Sequence, residues 1–223
     1  MKFSEQLVTE LKPVWEANHN HPFVKELAAG KLATNKFKFY MVQDYVYLID
    51  YAKLFALGAL KANDLTVEGK FAELLSETLN TEMGLHRSYA KEFGIRPQEL
   101  ATANPTPTTL SYTNYMLSVG QSGGLDKVLV ALLPCMWSYN QIGKQLVDTP
   151  AATHPLYSKW VAMYADDNYT ELTNWTIGLL DQVTEGQSKG QLAELTKIFL
   201  NTTRYEYLFW DMAYYHRDWP IVE

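Results

Sequence analysis

The chain has 223 residues, of which 47% are hydrophobic, so it can bury the core of one ordinary domain and is not disordered as a whole. A net charge of −6, from 19 Lys and Arg against 25 Asp and Glu, excludes a basic surface for nucleic acid. A single cysteine, Cys135, excludes an internal disulfide.

Turn and cap signals divide the chain into helical segments, in which apolar residues recur at three- and four-residue steps instead of alternating. In the first half of the chain, one helix is predicted to begin at Ser4, a second runs from Pro22 to Gly30, and a third runs from a Thr34 cap to about Ala62. A fourth begins at Thr66 and ends at Gly94, which is predicted to adopt the left-handed conformation. The remaining predicted helices are about 110–119, 125–147, 156–183 and 188–216. Residues 101–109 are predicted to form a loop. Long helices joined by short loops favour a single all-α domain over residues 1–223, built as a helical bundle.

The N-terminal segment has no signal-peptide pattern, because charges interrupt its apolar residues. The longest apolar run, 128–137, is about half of a membrane span. We therefore expect a cytoplasmic protein without a membrane partner.

Asp44 lies on an aromatic stripe of the third predicted helix. Tyr40, Asp44, Tyr47 and Tyr51 are spaced four, three and four residues apart, so they share one helix face. Apolar neighbours predict that this face is buried, where a carboxylate needs a partner. Two interpretations stay open: Asp44 binds an amino-heterocycle, or it is a structural group satisfied by tyrosine hydroxyls or an arginine.

Cys135 follows a proline inside a helical pattern. Pro134 should kink the helix just before the thiol and open space beside it, and Tyr139 lies four residues further along the same face. The thiol is a candidate nucleophile, although a lone cysteine in an apolar run is also typical of inert packing.

Glu206 is flanked on its own helix face by apolar side chains, among them Phe209 and Trp210. Burial there would raise the pKa of its carboxyl group toward the range of a general acid. The alternative is an ion pair with Arg204.

The five histidines lack the usual zinc spacings, and we expect no metal site. Glu82 and His86 are four residues apart and could share a metal, but this spacing is a weak signal.

Three separated segments, QDYVYLIDYAKLFALGALKA, LLPCMWSYNQIGKQL and TTRYEYLFWDMA, together resemble the TenA family of thiaminase II or aminopyrimidine aminohydrolase enzymes. The resemblance extends over nearly the whole chain, including WEANHNHPFVKELAAGKL near its start. It implies a heme-oxygenase-like helical bundle, commonly a homotetramer, that works without a cofactor. The implied reaction converts 4-amino-5-aminomethyl-2-methylpyrimidine to the hydroxymethylpyrimidine in thiamin salvage. Thiamin itself would be cleaved to the hydroxymethylpyrimidine and a thiazole alcohol.

The resemblance also implies roles for individual residues. Cys135 corresponds to the nucleophile, Glu206 to the proton donor and Asp44 to the group that grips the aminopyrimidine edge. Tyr47 would lie close to the thiol, and His86 would sit at the edge of the pocket. The remaining pocket residues would be Tyr112, Tyr139, Tyr164 and Phe209.

One segment departs from the family pattern. Where the family usually has Tyr-Ala-Ser-x-Glu-Phe, this chain has Tyr164-Ala165-Asp166-Asp167-Asn168-Tyr169. The tyrosine is kept, but its support is changed, which bears on substrate preference and on the position of Tyr164.

Two other functions are open on the sequence. Relatives of the fold include heme oxygenases and non-heme iron oxidases, for which His21 or the pair Glu82 and His86 would supply ligands. A non-catalytic regulator is the other alternative, against which the acidic charge and the absence of a basic DNA-reading helix argue.

Overall fold

The protein is built from α-helices. A computed structural model describes residues 1–221, which contain α-helices and two short turns of other helical types but no β-strand. The helices are α1 (Phe3–Glu10), α2 (Lys12–His19), α3 (Pro22–Ala28), α4 (Thr34–Lys61), α5 (Leu65–Glu77), α6 (Met83–Glu92), α7 (Pro97–Ala101), α8 (Pro107–Ser122), α9 (Leu125–Leu146), α10 (Ser158–Ala165), α11 (Asp167–Val183) and α12 (Lys189–Tyr215). The all-α prediction is confirmed. The last two residues of the predicted domain lie outside the described residues.

Helix α9 lies at the centre of the bundle. Its residues from Val128 to Leu133 have no exposed surface, and the helix packs against α4, α8, α10, α11 and α12. A helix that is hydrophobic all round is buried all round, which explains why the longest apolar run forms the core. Within residues 1–221, no helix has both the length and the hydropathy needed to cross a bilayer.

The two longest helices, α4 and α12, both pack against α9 and against each other. Helix α4 buries the face that carries Asp44 and its tyrosines, and α12 buries the face that carries Glu206 and Phe209. Helix α9 continues through Pro134 and presents Cys135 directly after it. Three helices therefore bring the candidate residues to one place.

Three details of the predicted helices are wrong. The segment 156–183 is not one helix, because Asp166 adopts an extended backbone (ψ 143°) and its side chain accepts a hydrogen bond from the N–H of Asn168. Asp166 is therefore the N-cap of α11. Thr34 is not a cap either, since Ala33 occupies the N-cap of α4 without a side-chain hydrogen bond. The first predicted helix also splits, into α1 and α2.

A π-helical turn, Thr78–Glu82, interrupts the helix that the sequence predicts up to Gly94. Such turns are frequent at functional sites, because one wider turn changes the face on which the following side chains lie. The turn and α6 both pack against α4. The predicted stop is confirmed, since Gly94 has a φ of +70°.

Candidate active site

Three ionisable side chains from three helices come together inside the bundle. Cys135 on α9, Glu206 on α12 and Asp44 on α4 are 7%, 2% and 3% exposed. The other residues predicted for the site are all buried too, and hydrogen bonds and ring contacts join them to these three: Tyr47, His86, Tyr112, Tyr139, Tyr164 and Phe209. All nine predicted residues thus belong to one cluster.

Burial dominates the chemistry of the Cys135 thiol. It raises the pKa of the thiol well above its ordinary value, and the carboxyl groups of Glu206, Glu82 and Asp44 raise this pKa further. A hydrogen bond from Tyr47 acts in the opposite direction. In the ligand-free protein the thiol is protonated near neutral pH, so forming the reactive thiolate requires a proton acceptor beside it.

Glu206 is a buried carboxyl group close enough to this thiol for its charge to raise the pKa of the thiol. Burial raises the pKa of Glu206 to about 8, although the neighbouring Tyr112 hydroxyl and Cys135 thiol oppose the rise. The Tyr112 hydroxyl donates to Glu206 Oε1. A carboxyl group with such a pKa can both take and give a proton near neutral pH. Among the described residues, the alternative ion pair with Arg204 is not formed, because Arg204 is exposed and contacts Asn201.

Aromatic rings enclose the thiol and the carboxyl group. The ring centroid of Tyr47 lies 5.0 Å from that of Tyr112 and 5.6 Å from that of Phe209. On its other side it stacks on Tyr51 at 5.3 Å. The phenol hydroxyl of Tyr47 also contacts Met116 Sδ at 3.7 Å. These contacts hold Tyr47 beside the thiol and keep bulk water away from it.

Asp44 is held by two neighbours through one carboxylate oxygen. Its Oδ2 accepts a hydrogen bond from the Tyr40 hydroxyl at 2.9 Å and lies 2.7 Å from His86 Nε2. The other ring nitrogen of His86 donates to the backbone carbonyl of Glu82 at 2.8 Å. Burial lowers the pKa of His86, but the hydrogen bond and charge of Asp44 outweigh it, so the net effect raises this pKa. A doubly protonated ring then donates at both nitrogens.

This arrangement places His86 behind Asp44, with its side chain fully buried. The sequence placed His86 at the edge of the pocket, where it would meet the substrate itself. In the structure its side chain contacts Asp44 and the backbone carbonyl of Glu82, and it thereby fixes the position of the Asp44 carboxylate.

Tyr139 and Tyr164 form a second aromatic part of the cluster. Their ring centroids are 4.9 Å apart, and the Tyr139 hydroxyl lies 3.3 Å from that of Tyr40. The Tyr164 hydroxyl donates to Glu82 Oε1 at 2.8 Å. The departure from the family pattern after Tyr164 therefore leaves this tyrosine inside the cluster.

A cavity of about 540 Å³ opens beside the cluster. Its wall includes Tyr51 and Glu82, which also border the cluster, and Asp166, Asn168 and Tyr169 from the departing segment. The sequence indicated Glu82 as a possible metal ligand and did not place it in the pocket. Its place in the wall depends on the π-helical turn, which no pattern in the sequence announces.

The histidines proposed as iron or heme ligands have their ring nitrogens engaged. His21 Nδ1 accepts the N–H of Phe23, and its Nε2 lies 3.2 Å from Asp211. Both nitrogens of His86 are used as described above. Residues 1–221 contain no group of three or more His, Cys, Asp or Glu side chains placed to hold a metal ion.

The helical architecture around a buried polar cluster defines the structural class of this protein. The fold is a heme-oxygenase-like helical bundle, like that of a domain of unknown function with this fold from Shewanella denitrificans OS217. That structure has a TM-score of 0.73 and 16% identity, and the alignment covers 95% of this chain and 92% of that one.

Within this fold class, the sequence also identifies the family of the chain. The model of the TENA/THI-4/PQQC family matches residues 8–216, and the chain belongs to this family. A solved structure described as a TenA family transcription regulator from Silicibacter sp. TM1040 has a TM-score of 0.89 and 31% identity, covering 95% of this chain and 96% of that chain.

Two curated relatives are similar over nearly their whole length. The aminopyrimidine aminohydrolase of Halalkalibacterium halodurans is 50% identical, covering 98% of each chain. The aminopyrimidine aminohydrolase of Helicobacter pylori is 41% identical, covering 96% of this chain and 99% of its own.

Proposed function

We propose that this protein is an aminopyrimidine aminohydrolase, which converts aminomethylpyrimidine and water to hydroxymethylpyrimidine and ammonia for thiamin salvage. The observation that carries the proposal is that Cys135, Glu206 and Asp44 are enclosed together in one buried cluster of tyrosines. The names of the relatives from H. halodurans and H. pylori support the same reaction.

Asp44 binds the pyrimidine. Tyr40 and His86 occupy its Oδ2, whereas among the described residues Oδ1 receives no hydrogen bond and is free to accept one from a substrate. A carboxylate at the aminopyrimidine edge stabilises the protonated ring through charge-assisted hydrogen bonds. The protonated ring is more electrophilic, so the same contact that orients the substrate also activates it.

Cys135 and Glu206 carry out the first half of the reaction. The thiol gives its proton to the Glu206 carboxylate, and the thiolate forms a C–S bond to an electron-poor ring carbon. The ring electrons then break the bond between the methylene carbon and the amine nitrogen. Glu206 returns the proton to the departing amine, which leaves as ammonia.

Water completes the second half. It adds to the methylene carbon while Glu206 takes one of its protons, and the electrons return to the ring. The C–S bond breaks, and the thiolate regains a proton from Glu206. Every atom and proton is thus accounted for by substrate, water and two side chains, and we propose no cofactor.

We further propose that thiamin is a second substrate, since its thiazolium occupies the position of the amine and departs as a neutral thiazole. The homotetramer implied by the family resemblance and the cytoplasmic location expected from the sequence also stay predictions.

Product analysis tests the proposal. The purified protein is incubated with aminomethylpyrimidine and with thiamin side by side, and we expect hydroxymethylpyrimidine from both. Absence of this product from both reactions would refute the hydrolase. An absorbance spectrum with a Soret band, or stoichiometric iron, would support the alternative oxygenase instead.

A further inference from the structure

Glu82 borders both the catalytic cluster and the open cavity. It is half-buried at the end of the π-helical turn. Its Oε1 accepts the Tyr164 hydroxyl, whereas within residues 1–221 its Oε2 receives no hydrogen bond. The carboxyl group also lies close enough to Cys135 for its charge to raise the pKa of the thiol, after burial and the charge of Glu206. One acceptor atom is therefore available at the border between the cluster and the cavity.

The side chain of Glu82 is not needed to hold His86. The hydrogen bond from His86 Nδ1 goes to the backbone carbonyl of Glu82, which any residue at this position would supply. The position of His86 therefore does not require the carboxyl group of Glu82, which, in the part of the chain that the structure describes, has one oxygen bound to Tyr164 and the other available.

The cavity combines carboxyl groups with aromatic rings. Glu77, Glu82 and Asp166 lie in its wall together with the rings of Tyr51, Phe55 and Tyr169. The basic side chain in the wall, Lys159, is paired with Glu92. Carboxylates offset the charge of an organic cation, and aromatic faces attract it. The cavity is therefore suited to a flat, positively charged group.

We propose that Glu82 determines specificity by binding the leaving group on the substrate's methylene carbon in this cavity, where it accepts a hydrogen bond from the amine of aminomethylpyrimidine or faces the permanent positive charge of the thiazolium of thiamin. The inference rests on the proposed function. The volume of about 540 Å³ lies within the range of small-molecule sites, and it leaves room for a leaving group as large as the thiazolium. The pyrimidine ring itself is assigned to Asp44.

The electrostatics of the empty site agree with this assignment. Burial and then the charge of Asp44 raise the pKa of Glu82 to about 7, against the opposing effects of His86 and Tyr164. The groups around Glu82 therefore do not fully compensate the charge of its carboxylate. A bound cation would supply the missing positive charge.

Binding measured without turnover tests the proposal. In the Cys135→Ser background, dissociation constants are measured by calorimetry for thiamin, whose charge is permanent, and for hydroxymethylpyrimidine, which lacks a cationic substituent. Adding Glu82→Gln should weaken thiamin binding by about tenfold or more, because a charge-assisted contact is lost. Hydroxymethylpyrimidine binding should stay within about twofold, since its contacts are with Asp44.

Glu73→Gln is the matched control, because it removes the same charge from the exposed face of α5, outside the cavity, where Glu73 pairs with Lys70, and it should change neither constant appreciably. Unchanged thiamin binding in Glu82→Gln, or equal weakening of both ligands, would overturn the role of Glu82. Hydroxymethylpyrimidine tests the proposed function separately. If Cys135→Ser does not bind hydroxymethylpyrimidine, the proposed function fails as well. If it binds hydroxymethylpyrimidine and Glu82→Gln leaves thiamin binding unchanged, only the role of Glu82 fails.

Discussion

Cys135 is the residue on which the covalent mechanism depends. Replacing it with serine keeps the size of the side chain, but a hydroxyl group cannot supply a comparable nucleophile near neutral pH. We expect Cys135→Ser to fold like the wild type and to lose nearly all turnover. Steady-state kinetics, with circular dichroism as a check of folding, measure this. Activity above about a tenth of wild type would contradict a mechanism in which the thiolate is the nucleophile.

Glu206 can be tested with two leaving groups. Glu206→Gln preserves shape and removes the proton, and a positioned acid contributes about 10²- to 10⁴-fold to the rate. We expect a loss of that order with aminomethylpyrimidine. The loss with thiamin should be smaller, because its thiazolium leaves as a neutral thiazole without a proton.

The measurement is kcat/KM for both substrates with the wild type and with Glu206→Gln. An equal loss on both would indicate that Glu206 positions the substrate and does not act as an acid.

Asp44 should affect binding more than the covalent chemistry. Asp44→Asn replaces a charged acceptor with a neutral amide, so KM for aminomethylpyrimidine should rise by about tenfold or more. Asp50→Asn is the matched control on the same helix, since Asp50 pairs only with Lys53 among the described residues. Wild-type kinetics in Asp44→Asn would show that Asp44 is structural.

At the scale of helices, the site depends on how closely α10 approaches α9. Gly143 of α9 makes this approach possible, because a Cβ at this position would lie 2.6 Å from the carbonyl carbon of Tyr164 and 2.8 Å from the backbone nitrogen of Ala165. The neighbouring atoms are backbone, so they cannot move aside as a flexible side chain would. The glycine therefore fixes where Tyr164 enters the cluster.

Gly143→Ala should push α10 away from α9. We expect the free energy of unfolding to fall by about 1–3 kcal/mol, as in other overpacked cores, and kcat/KM to fall because Tyr164 is displaced. Urea denaturation and steady-state kinetics measure the two effects. Gly178→Ala is the control, because Gly178 is exposed in α11 with nothing within 4 Å of an added Cβ. This substitution should raise the free energy of unfolding by about 0.5–1 kcal/mol. Equal effects of the two substitutions would contradict the importance of the approach.

At the scale of the whole molecule, a buried acid makes stability depend on pH. Burial raises the pKa of Glu206 from 4.5 to about 8, so between these values the folded state binds more protons than the unfolded state. The free energy of unfolding must then fall as pH rises through this window. Each tenfold change in proton affinity corresponds to about 1.4 kcal/mol.

Glu206→Gln cannot ionise and should lose this dependence. Relative to the wild type, its free energy of unfolding should increase between pH 5 and pH 8, by up to a few kcal/mol. Urea denaturation at several pH values measures the difference. A difference that does not change with pH would show that Glu206 ionises in the folded state as it does in the unfolded chain.

Much of this protein follows from the sequence because helical periodicity is a local property. The spacing of Asp44 and its tyrosines, the apolar neighbours of Glu206 and the apolar run around Cys135 each predict a buried helix face, and all three are buried in the structure. Together with the family motifs, these patterns identified the all-α bundle and the three residues assigned to catalysis and binding.

Only the tertiary structure decided which groups meet. Asp44 and His86 are 42 residues apart in the chain and 2.7 Å apart in space, and the sequence left open whether a tyrosine or an arginine would satisfy Asp44. The π-helical turn places Glu82 in the cavity wall, and Asp166 breaks a helix by capping the next one. A periodic pattern states which face of a helix is buried, but partners across the core are set by how the helices pack against one another, and that packing is not a local property.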